Sequence, residues 1–238
     1  DFTPNGKPKI DETVLRSLPY PGCDELFNHF LLSKRISQLA EGDNAWLKLE
    51  REGRIFGNVN TNGAITGRCT HSSPNLAQVP AIYSSFGKEC RELFKASKDK
   101  VLVGCDADGL ELRALAGYLT KYDGGKYARA AVDGSKENNT DIHSLNRDII
   151  KTSSRDTAKT FFYAFIYGAG NEKLGTILGG GAGRGKEARQ RLLTGVDGLM
   201  DLTTRVKQVF RRRGHLIGLD GRRLHVRSEH SALNTLLQ

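Results

Sequence analysis

The chain of 238 residues contains 36 Lys+Arg against 27 Asp+Glu, for a formal net charge of +9, and 38% of its residues are hydrophobic. That hydrophobic fraction supplies a buried core and excludes a globally disordered chain, and no stretch approaches the roughly 18 apolar residues of a membrane span. The four cysteines form no CxxC pair, which argues against a zinc site or a disulfide framework, so we expect a soluble protein of a reducing cytoplasm.

Two elements are predicted in the first part of the chain. Apolar residues at helical spacing predict a helix that begins at Asp24, as its N-cap, and ends at Gly42. Residues 54–68 predict a β-hairpin, because apolar alternation flanks the Asn-Gly pair at 62–63, the strongest short turn signal.

The second half of the chain is mainly helical in pattern. Residues 101–105 (VLVGC) predict a buried strand, and the leucines that follow predict a helix over 110–119. Two further helices are predicted over residues 157–167 and 199–213, then a hairpin that turns at Asp-Gly 220–221, and a last helix over 229–238. Helices outnumber strands, and hairpins make the strands antiparallel, which predicts an α+β fold.

Three acidic residues follow the predicted strand. Asp106 stands at the strand exit, where a carboxylate is well placed for Mg²⁺, which takes one or two carboxylates together with phosphate oxygens. Alternatively, Asp108 and Glu111 form a capping-box pattern and serve only to start the next helix. The spacing alone leaves both interpretations open.

Four residues recur every fourth position and share one helix face: Arg155, Lys159, Tyr163 and Tyr167. This face is about 18 Å long, enough to bind a triphosphate at its basic end and to stack a base or sugar on its aromatic end. The alternative is an ordinary solvated face. Residues 158–166 already supply a separate apolar face, so the tyrosines have no packing role on the basic side.

Other patterns are weaker. Residues 180–186 read G-x-x-x-x-G-K, but Glu187 stands where a phosphate-binding loop needs Ser or Thr for magnesium. His143 alone is typical of a structural histidine, and the basic run at 211–213 can simply complement a helix dipole. The positive net charge is equally consistent with a nucleic-acid or nucleotide partner and with a basic surface that has none.

The following segments occur in this order: residues 66–68 (TGR), 74–80 (PNLAQVP), 106–113 (DADGLELR), 155–168 (RDTAKTFFYAFIYG), 219–223 (LDGRR) and 230–238 (HSALNTLLQ). In order and internal spacing they resemble the motifs of the family A DNA polymerases, in particular the replicative polymerases of short-tailed bacteriophages. The resemblance runs through nearly the whole chain.

The resemblance implies a partial right-hand polymerase fold, with a palm of antiparallel strands and helical fingers. It implies template-directed addition of deoxynucleotides to a primer 3′-hydroxyl by two-metal phosphoryl transfer. It also divides the chain into a thumb remnant (residues 1–50), the first part of the palm (51–119), the fingers (120–215) and a return to the palm (216–238).

The resemblance assigns roles around the triphosphate. Asp106 and the backbone carbonyl of Ala107 are implied to bind the two catalytic Mg²⁺ ions. Lys159, Arg155 and His143 are implied to hold the β- and γ-phosphates. Lys159 is also implied to donate the proton to pyrophosphate.

Further roles concern the sugar, the base and the DNA. Glu111 is implied to be a steric gate against a ribose 2′-hydroxyl, Tyr163 to lie beside the incoming sugar, and Tyr167 to stack near the templating base. Asp108 stays an N-cap. The residues implied to contact primer–template DNA, largely from the minor groove, are Arg68, Gln78, Asn234 and Gln238.

The family has a second metal-binding Asp in a His-Asp-Glu strand turn downstream of the last helix, and this tripeptide does not occur in the sequence. We therefore expect an internal piece of a polymerase, inactive alone, whose partners are the polymerase segments upstream and downstream, primer–template DNA and deoxynucleoside triphosphates. The resemblance adds host thioredoxin, recruited through a thumb region outside this chain. It also implies the host bacterial cytoplasm as the location, with no membrane partner.

Three alternatives remain. A phage-type single-subunit RNA polymerase shares the fold, but Glu111 argues against it, because a ribonucleotide needs room beneath its sugar. The chain is alternatively a non-catalytic DNA- or nucleotide-binding part of a split polymerase. A nucleoside-triphosphate hydrolase is disfavoured by Glu187.

Overall fold

In the computed structural model, which describes residues 6–8 and 10–238, most of the secondary structure is helical. The chain divides into two compact units, one of residues 1–63 and 69–103 and one of residues 64–68 and 104–238. The strand pairs are antiparallel, so the predicted α+β class is confirmed.

The first unit combines short helices with two strand pairs. Its elements are α1 (Glu12–Ser17), α2 (Cys23–Ile36), α3 (Trp46–Leu49), β1 (Glu50–Arg51), β2 (Arg54–Ile55), β3 (Asn58–Asn60), β4 (Thr70–Ser72) and α4 (Gly87–Glu92).

The first predicted helix is confirmed as α2, which continues into a π-helical turn, Ser37–Glu41, and ends at Gly42. The predicted N-cap was wrong. Gly22, in the left-handed conformation with φ 87°, occupies that position, and Asp24 lies in the first turn. A carboxylate there interacts favourably with the positive end of the helix dipole, which explains why an acid marks this terminus.

The first predicted hairpin exists, but its turn was misplaced. β3 pairs with β4 around Val59↔His71, so the connection spans residues 61–69 instead of a two-residue Asn-Gly turn. Gly63 is needed for a different reason, because a Cβ atom there would lie 1.9 Å from the Thr70 hydroxyl oxygen. β2, which was predicted to begin the hairpin, pairs with β1.

The predicted buried strand at residues 101–105 was wrong. Residues 101–107 are irregular, and Val101, Leu102 and Val103 are 81%, 73% and 87% exposed. A strand is stabilised by hydrogen bonds to a neighbouring strand, and within residues 6–8 and 10–238 no strand pairs with this segment.

The second unit is mainly helical. Its elements are α5 (Leu110–Asp123), α6 (Lys126–Val132), α7 (Ile142–Ile150), α8 (Arg155–Ile166), α9 (Asn171–Ile177), α10 (Ala182–Gly195), α11 (Leu199–Arg213), β5 (His215–Ile217), β6 (Arg223–His225) and α12 (Ala232–Leu237).

The core of the second unit fixes the orientation of α8. Phe161 and Phe162 are fully buried, and Phe165 and Ile166 one turn later are also buried. Burial of each such side chain stabilises the fold by about 1.5–3 kcal/mol. Because these residues occupy one face, the opposite face of α8 turns away from the core, as its period predicted.

The remaining predicted elements are confirmed. α11 ends at Gly214, whose φ of 71° is left-handed. β5 and β6 form the second hairpin, with Gly221 at φ 80° in the connecting turn. The last segment consists of a 3-10 turn, Glu229–Ser231, and α12. Among the described residues, no helix combines the length and the apolar character needed to cross a membrane.

Candidate functional site

The start of α5 and the polar face of α8 lie against each other. Gly109 is the N-cap of α5, in the left-handed conformation with φ 58°. A Cβ atom on Gly109 would lie 3.8 Å from the Tyr163 hydroxyl oxygen. Two motifs that are separated by some fifty residues in the sequence therefore meet at one place.

The predicted capping box at the start of α5 was wrong. Because Gly109 is the N-cap and has no side chain, Asp108 is not the N-cap and accepts no capping hydrogen bond. The Asp108 carboxylate instead lies 3.9 Å from the guanidinium of Arg113, which also donates a hydrogen bond to the Asp108 backbone carbonyl at 2.9 Å. Two of the three carboxylates of the motif, Asp106 and Asp108, are exposed just before the helix.

Asp106 and Ala107 precede α5 in the irregular segment. A carboxylate and a backbone carbonyl are the oxygen donors that Mg²⁺ prefers. Across residues 6–8 and 10–238, however, no group of three or more His, Cys, Asp or Glu side chains is arranged to hold a metal ion. These residues suit an ion that takes its other ligands from phosphate oxygens and from donors outside the described chain.

Glu111 is the centre of a hydrogen-bonded cluster. Its Oε1 atom lies 2.5 Å from Nη2 of Arg68 and accepts a second hydrogen bond, at 3.0 Å, from the Tyr167 hydroxyl. Burial alone raises the pKa of Glu111, but hydrogen bonds with its own backbone N–H and with Tyr167, together with the charge of Arg68, lower that pKa below its usual value. The carboxylate is therefore ionised and held in place at neutral pH.

The two tyrosines of α8 form one aromatic surface. The rings of Tyr163 and Tyr167 are stacked, with centroids 6.5 Å apart and planes 26° from parallel. Burial and the Glu111 carboxylate raise the pKa of Tyr167, so its phenol stays protonated and donates the hydrogen bond to Glu111. The Tyr167 side chain is 47% exposed, which leaves a face free for stacking.

Arg155, at the start of α8, is held by a residue that sequence reasoning missed. Its Nε and Nη2 atoms donate to both carboxylate oxygens of Asp141, at 2.8–3.2 Å. Asp141 is the N-cap of α7 and also accepts from Ser144 Oγ at 2.6 Å and from the backbone N–H of His143 at 3.0 Å. The sequence signal that identifies Asp141 is its place directly before a helix, since Asp is a favoured N-cap residue.

These bonds set the charge of Asp141. Burial alone raises the pKa of the carboxyl, but the hydrogen bonds from Arg155, Ser144 and His143 outweigh it and hold that pKa well below its usual range. The guanidinium of Arg155 is therefore paired before any ligand is present.

His143 lies among the cationic residues of α8. It is 7% exposed, and its ring is 6.0 Å from the ring of Tyr163 and 6.4 Å from that of Phe162. Burial and the charges of Arg155 and Lys159 lower the pKa of His143 below its usual value, so the ring is neutral at pH 7. Its Nδ1 atom is buried and has no hydrogen-bond partner among the described residues. As a lone histidine in the sequence, His143 indicated only a structural role. The structure adds that it lies close to Arg155 and Lys159.

The four residues expected to contact DNA lie in different places. Arg68 belongs to the Glu111 cluster. Asn234 lies on α12 and Gln238 follows as its C-cap, one turn later; the Asn234 Oδ1 atom is buried and has no hydrogen-bond partner within the part of the chain that the structure describes. Gln78 is exposed at the end of a 3-10 turn, Leu76–Gln78, in the first unit.

The G-x-x-x-x-G-K segment is structural. It follows α9 instead of a strand and leads into α10 at Ala182. Gly185 is buried, and a Cβ atom there would lie 1.9 Å from the Asn171 backbone carbonyl oxygen, so the glycine serves the packing of α10 on α9. A phosphate-binding loop needs a preceding strand, which excludes this segment from that role.

Comparisons with known proteins identify similar sequences and a similar fold. The sequence model for "DNA polymerase family A" matches residues 2–238. The DNA-directed DNA polymerases of Enterobacteria phage T3 and Escherichia phage T7 are each 41% identical to this chain over 266 residues, covering 100% of the chain and 37% of each relative. DNA polymerase I of Treponema pallidum is 26% identical over 96% of the chain and 24% of its own length.

A solved structure resembles the whole chain. The polymerase domain of Pol1 from M. smegmatis, solved in complex with DNA primer-template and dNTP, matches with a TM-score of 0.73 at 21% sequence identity. The match covers 100% of this chain and 44% of that one, and it confirms the expected partial polymerase fold. The chain thus spans less than half the length of these similar proteins.

Proposed function

Because the chain belongs to DNA polymerase family A, we propose that it forms the nucleotide-binding part of a template-directed DNA polymerase. The observation that carries this proposal is the cluster of Glu111, Arg68 and Tyr167 at the C-terminal end of α8, the helix whose N-terminal end carries Arg155. The cluster puts a fixed carboxylate and a stacking surface at one end of a helix whose other end is basic.

The basic end of α8 binds the triphosphate. Lys159 is exposed on this face. The charges of Arg155 and Lys159 both lie close enough to His143 to lower the pKa of its imidazole. A neutral imidazole offers one N–H donor to a phosphate oxygen, and we propose that the Lys159 ammonium gives its proton to the departing pyrophosphate. Asp141 holds the Arg155 guanidinium in a fixed orientation next to these groups.

Asp106 and the backbone carbonyl of Ala107 would hold Mg²⁺ where α5 begins. A Mg²⁺ ion held there would supply a Lewis acid for the primer hydroxyl and positive charge for the triphosphate. The described residues include no cluster of three metal-binding side chains, so we propose that a second carboxylate comes from another part of the polymerase. We therefore expect the 238-residue chain to be inactive alone.

Glu111 selects the sugar. Its carboxylate is fixed by two hydrogen bonds and is 12% exposed, so it cannot swing aside without breaking both. A ribose 2′-hydroxyl placed against it meets steric exclusion, whereas a deoxyribose fits. Tyr163 borders the same space, and Tyr167 stacks near the templating base.

The DNA lies along basic and amide side chains. The net charge of +9 provides the electrostatic attraction to phosphates, and Arg68, Gln78, Asn234 and Gln238 are proposed to read the minor groove. The division into thumb remnant, palm, fingers and returning palm at residues 50, 119 and 215 is part of this proposal. So are an association with host thioredoxin and a location in the host cytoplasm, which rest on the resemblance to phage polymerases.

A chimaera tests the proposal. In it, this chain replaces the matching part of the Escherichia phage T7 polymerase, and primer extension is measured with deoxynucleotides and with ribonucleotides. We expect extension with deoxynucleotides, and we expect Asp106→Asn to reduce it at least about a hundredfold. Asp133→Asn, an exposed control after α6, is expected to have no effect. A folded chimaera that does not extend would favour a non-catalytic module, and equal use of ribonucleotides would favour an RNA polymerase.

A further inference from the structure

The C-terminal end of α8 has an ordered turn. Tyr167 is the C-cap, and Gly168 follows it in the left-handed conformation with φ 78°. Gly168 donates a backbone hydrogen bond to Phe165 at 3.0 Å, and Ala169 donates one to Ala164 at 2.9 Å. This is the Schellman arrangement, which satisfies the last carbonyls of a helix with the amides just beyond it.

The last turn of α8 contains no basic residue, although the negative end of a helix dipole favours a cation. Arg189 of α10 supplies that cation from another helix. Its Nη2 atom donates to the Ala169 carbonyl oxygen, and its guanidinium carbon lies 5.8 Å from the centre of the Phe165 ring.

Arg189 is built into the unit and is not a solvated side chain. It is partly buried, and its buried Nε atom has no hydrogen-bond partner in residues 6–8 and 10–238. It lines a cavity of about 50 Å³ together with Gly168 and His230. On the other side of the turn, a Cβ atom at Gly168 would lie 3.1 Å from the His230 backbone carbonyl oxygen, so the turn is enclosed between two segments.

The residue that this turn positions is Tyr167. Its hydroxyl donates to Glu111, so a displacement of the turn changes the distance between the phenol and the carboxylate. The Tyr167 ring is 47% exposed, stacks on Tyr163 and is bonded through its hydroxyl to Glu111. The backbone of the turn sets the position from which this side chain reaches both partners.

We propose that Arg189 is a positioning residue that fixes the turn after α8 and thereby holds Tyr167 against Glu111. The consequence for selection of the sugar rests on the proposed function, because it assumes that Glu111 faces an incoming nucleotide. Arg189 itself touches no substrate. It acts through the backbone of Ala169.

Hydrogen exchange of the 238-residue chain tests the anchoring. Arg189→Met keeps the apolar stem and removes the donor, and peptides covering residues 164–171 are expected to exchange at least about tenfold faster. Arg189→Lys, which retains a cation and a donor, is expected to be intermediate. Arg184→Met, an exposed position in the first turn of α10, is the matched control and should exchange like the wild type. Exchange in Arg189→Met within twofold of the wild type would overturn the inference.

Nucleotide affinity tests the consequence, with dGTP and GTP titrated into the same variants. The ratio of the two affinities is expected to fall at least about threefold in Arg189→Met and to recover partly in Arg189→Lys. A general loss of structure would weaken both nucleotides equally and leave the ratio unchanged, and that result would overturn the link to Tyr167. A wild-type chain that binds neither nucleotide would contradict the proposed function, while the exchange result would still decide the anchoring.

Discussion

The ion pair between Asp141 and Arg155 offers a quantitative test of how the site is held. Asp141→Asn keeps the shape of the side chain and removes its charge. The carboxylate accepts hydrogen bonds from the Arg155 guanidinium, from Ser144 Oγ at 2.6 Å and from the backbone N–H of His143 at 3.0 Å. The substitution therefore weakens the contact between the N-terminal ends of α7 and α8.

The size of the effect follows from burial. The side chains of Asp141 and Arg155 are 11% and 23% exposed, so the pair is shielded from water but not fully removed from it. A hydrogen bond to a charged group contributes about 1.5–3 kcal/mol, and the amide retains part of the acceptor capacity. We expect the free energy of unfolding to fall by about 2 kcal/mol, which lowers Tm by about 4–8 °C for a chain of this size.

Thermal and urea unfolding followed by circular dichroism measure this change. Asp148→Asn is the matched control on the same helix, because Asp148 is paired with Arg147 on the exposed surface, where ion pairs contribute about 0–1 kcal/mol. Equal stability of Asp141→Asn and the wild type, or equal losses in the two variants, would refute the reasoning.

The same pair predicts a pH dependence. The pKa of Asp141 is lower in the folded than in the unfolded chain, so its stabilisation is complete above the unfolded value of about 4 and is lost as the pH falls below that value. The stability difference between wild type and Asp141→Asn is therefore expected to be constant from pH 5 to 7 and to narrow below about pH 4. A difference that grew on acidification would contradict the assigned direction.

Three further predictions follow from the same region. Gly67→Ala should lower the free energy of urea unfolding more than Gly53→Ala. Both glycines have positive φ, but of these two positions only Gly67 has a neighbour, the Arg222 guanidinium, in the place that a Cβ atom would take. Equal losses would contradict this effect of Arg222. In the chimaera, Tyr167→Phe should reduce the preference for deoxynucleotides about fivefold, because it removes the hydrogen bond to Glu111. Tyr83→Phe, at a residue that is 95% exposed, is the control. An unchanged preference in Tyr167→Phe would show that Tyr167 does not contribute to sugar selection. The 238-residue chain alone should not extend a primer with Mg²⁺, and template-directed extension by it would show that one carboxylate motif suffices.

α5 and α8, two helices of the site, were predictable because their signals are local. On α8, the apolar residues that the period assigned to the core are buried. The opposite face carries the four residues that recur every fourth position: Arg155, Lys159, Tyr163 and Tyr167. The hairpin at 220–221 was equally local, since its turn residues adopt the backbone that the turn requires.

The wrong strand and the missed side-chain contacts have a common physical cause, which is dependence on residues distant in the sequence. Residues 101–105 have the composition of a strand, but within the described residues they pair with no strand. The bond from Arg155 to Asp141 crosses 14 positions, and that from Arg189 to Ala169 crosses 20. No periodicity in the sequence indicates such contacts, so the roles of Asp141 and Arg189 were found only in the structure.

Sugar selection by Glu111 is the central claim, and one ratio tests it most directly. In the chimaera, kcat/KM for dGTP is divided by kcat/KM for GTP, in the parent, in Glu111→Ala and in Glu172→Ala, an exposed control in the first turn of α9. We predict that Glu111→Ala lowers this ratio at least about tenfold by admitting the ribonucleotide, while Glu172→Ala leaves it unchanged. A ratio that is the same in the parent and in Glu111→Ala would contradict the role of Glu111 and with it the proposed nucleotide site.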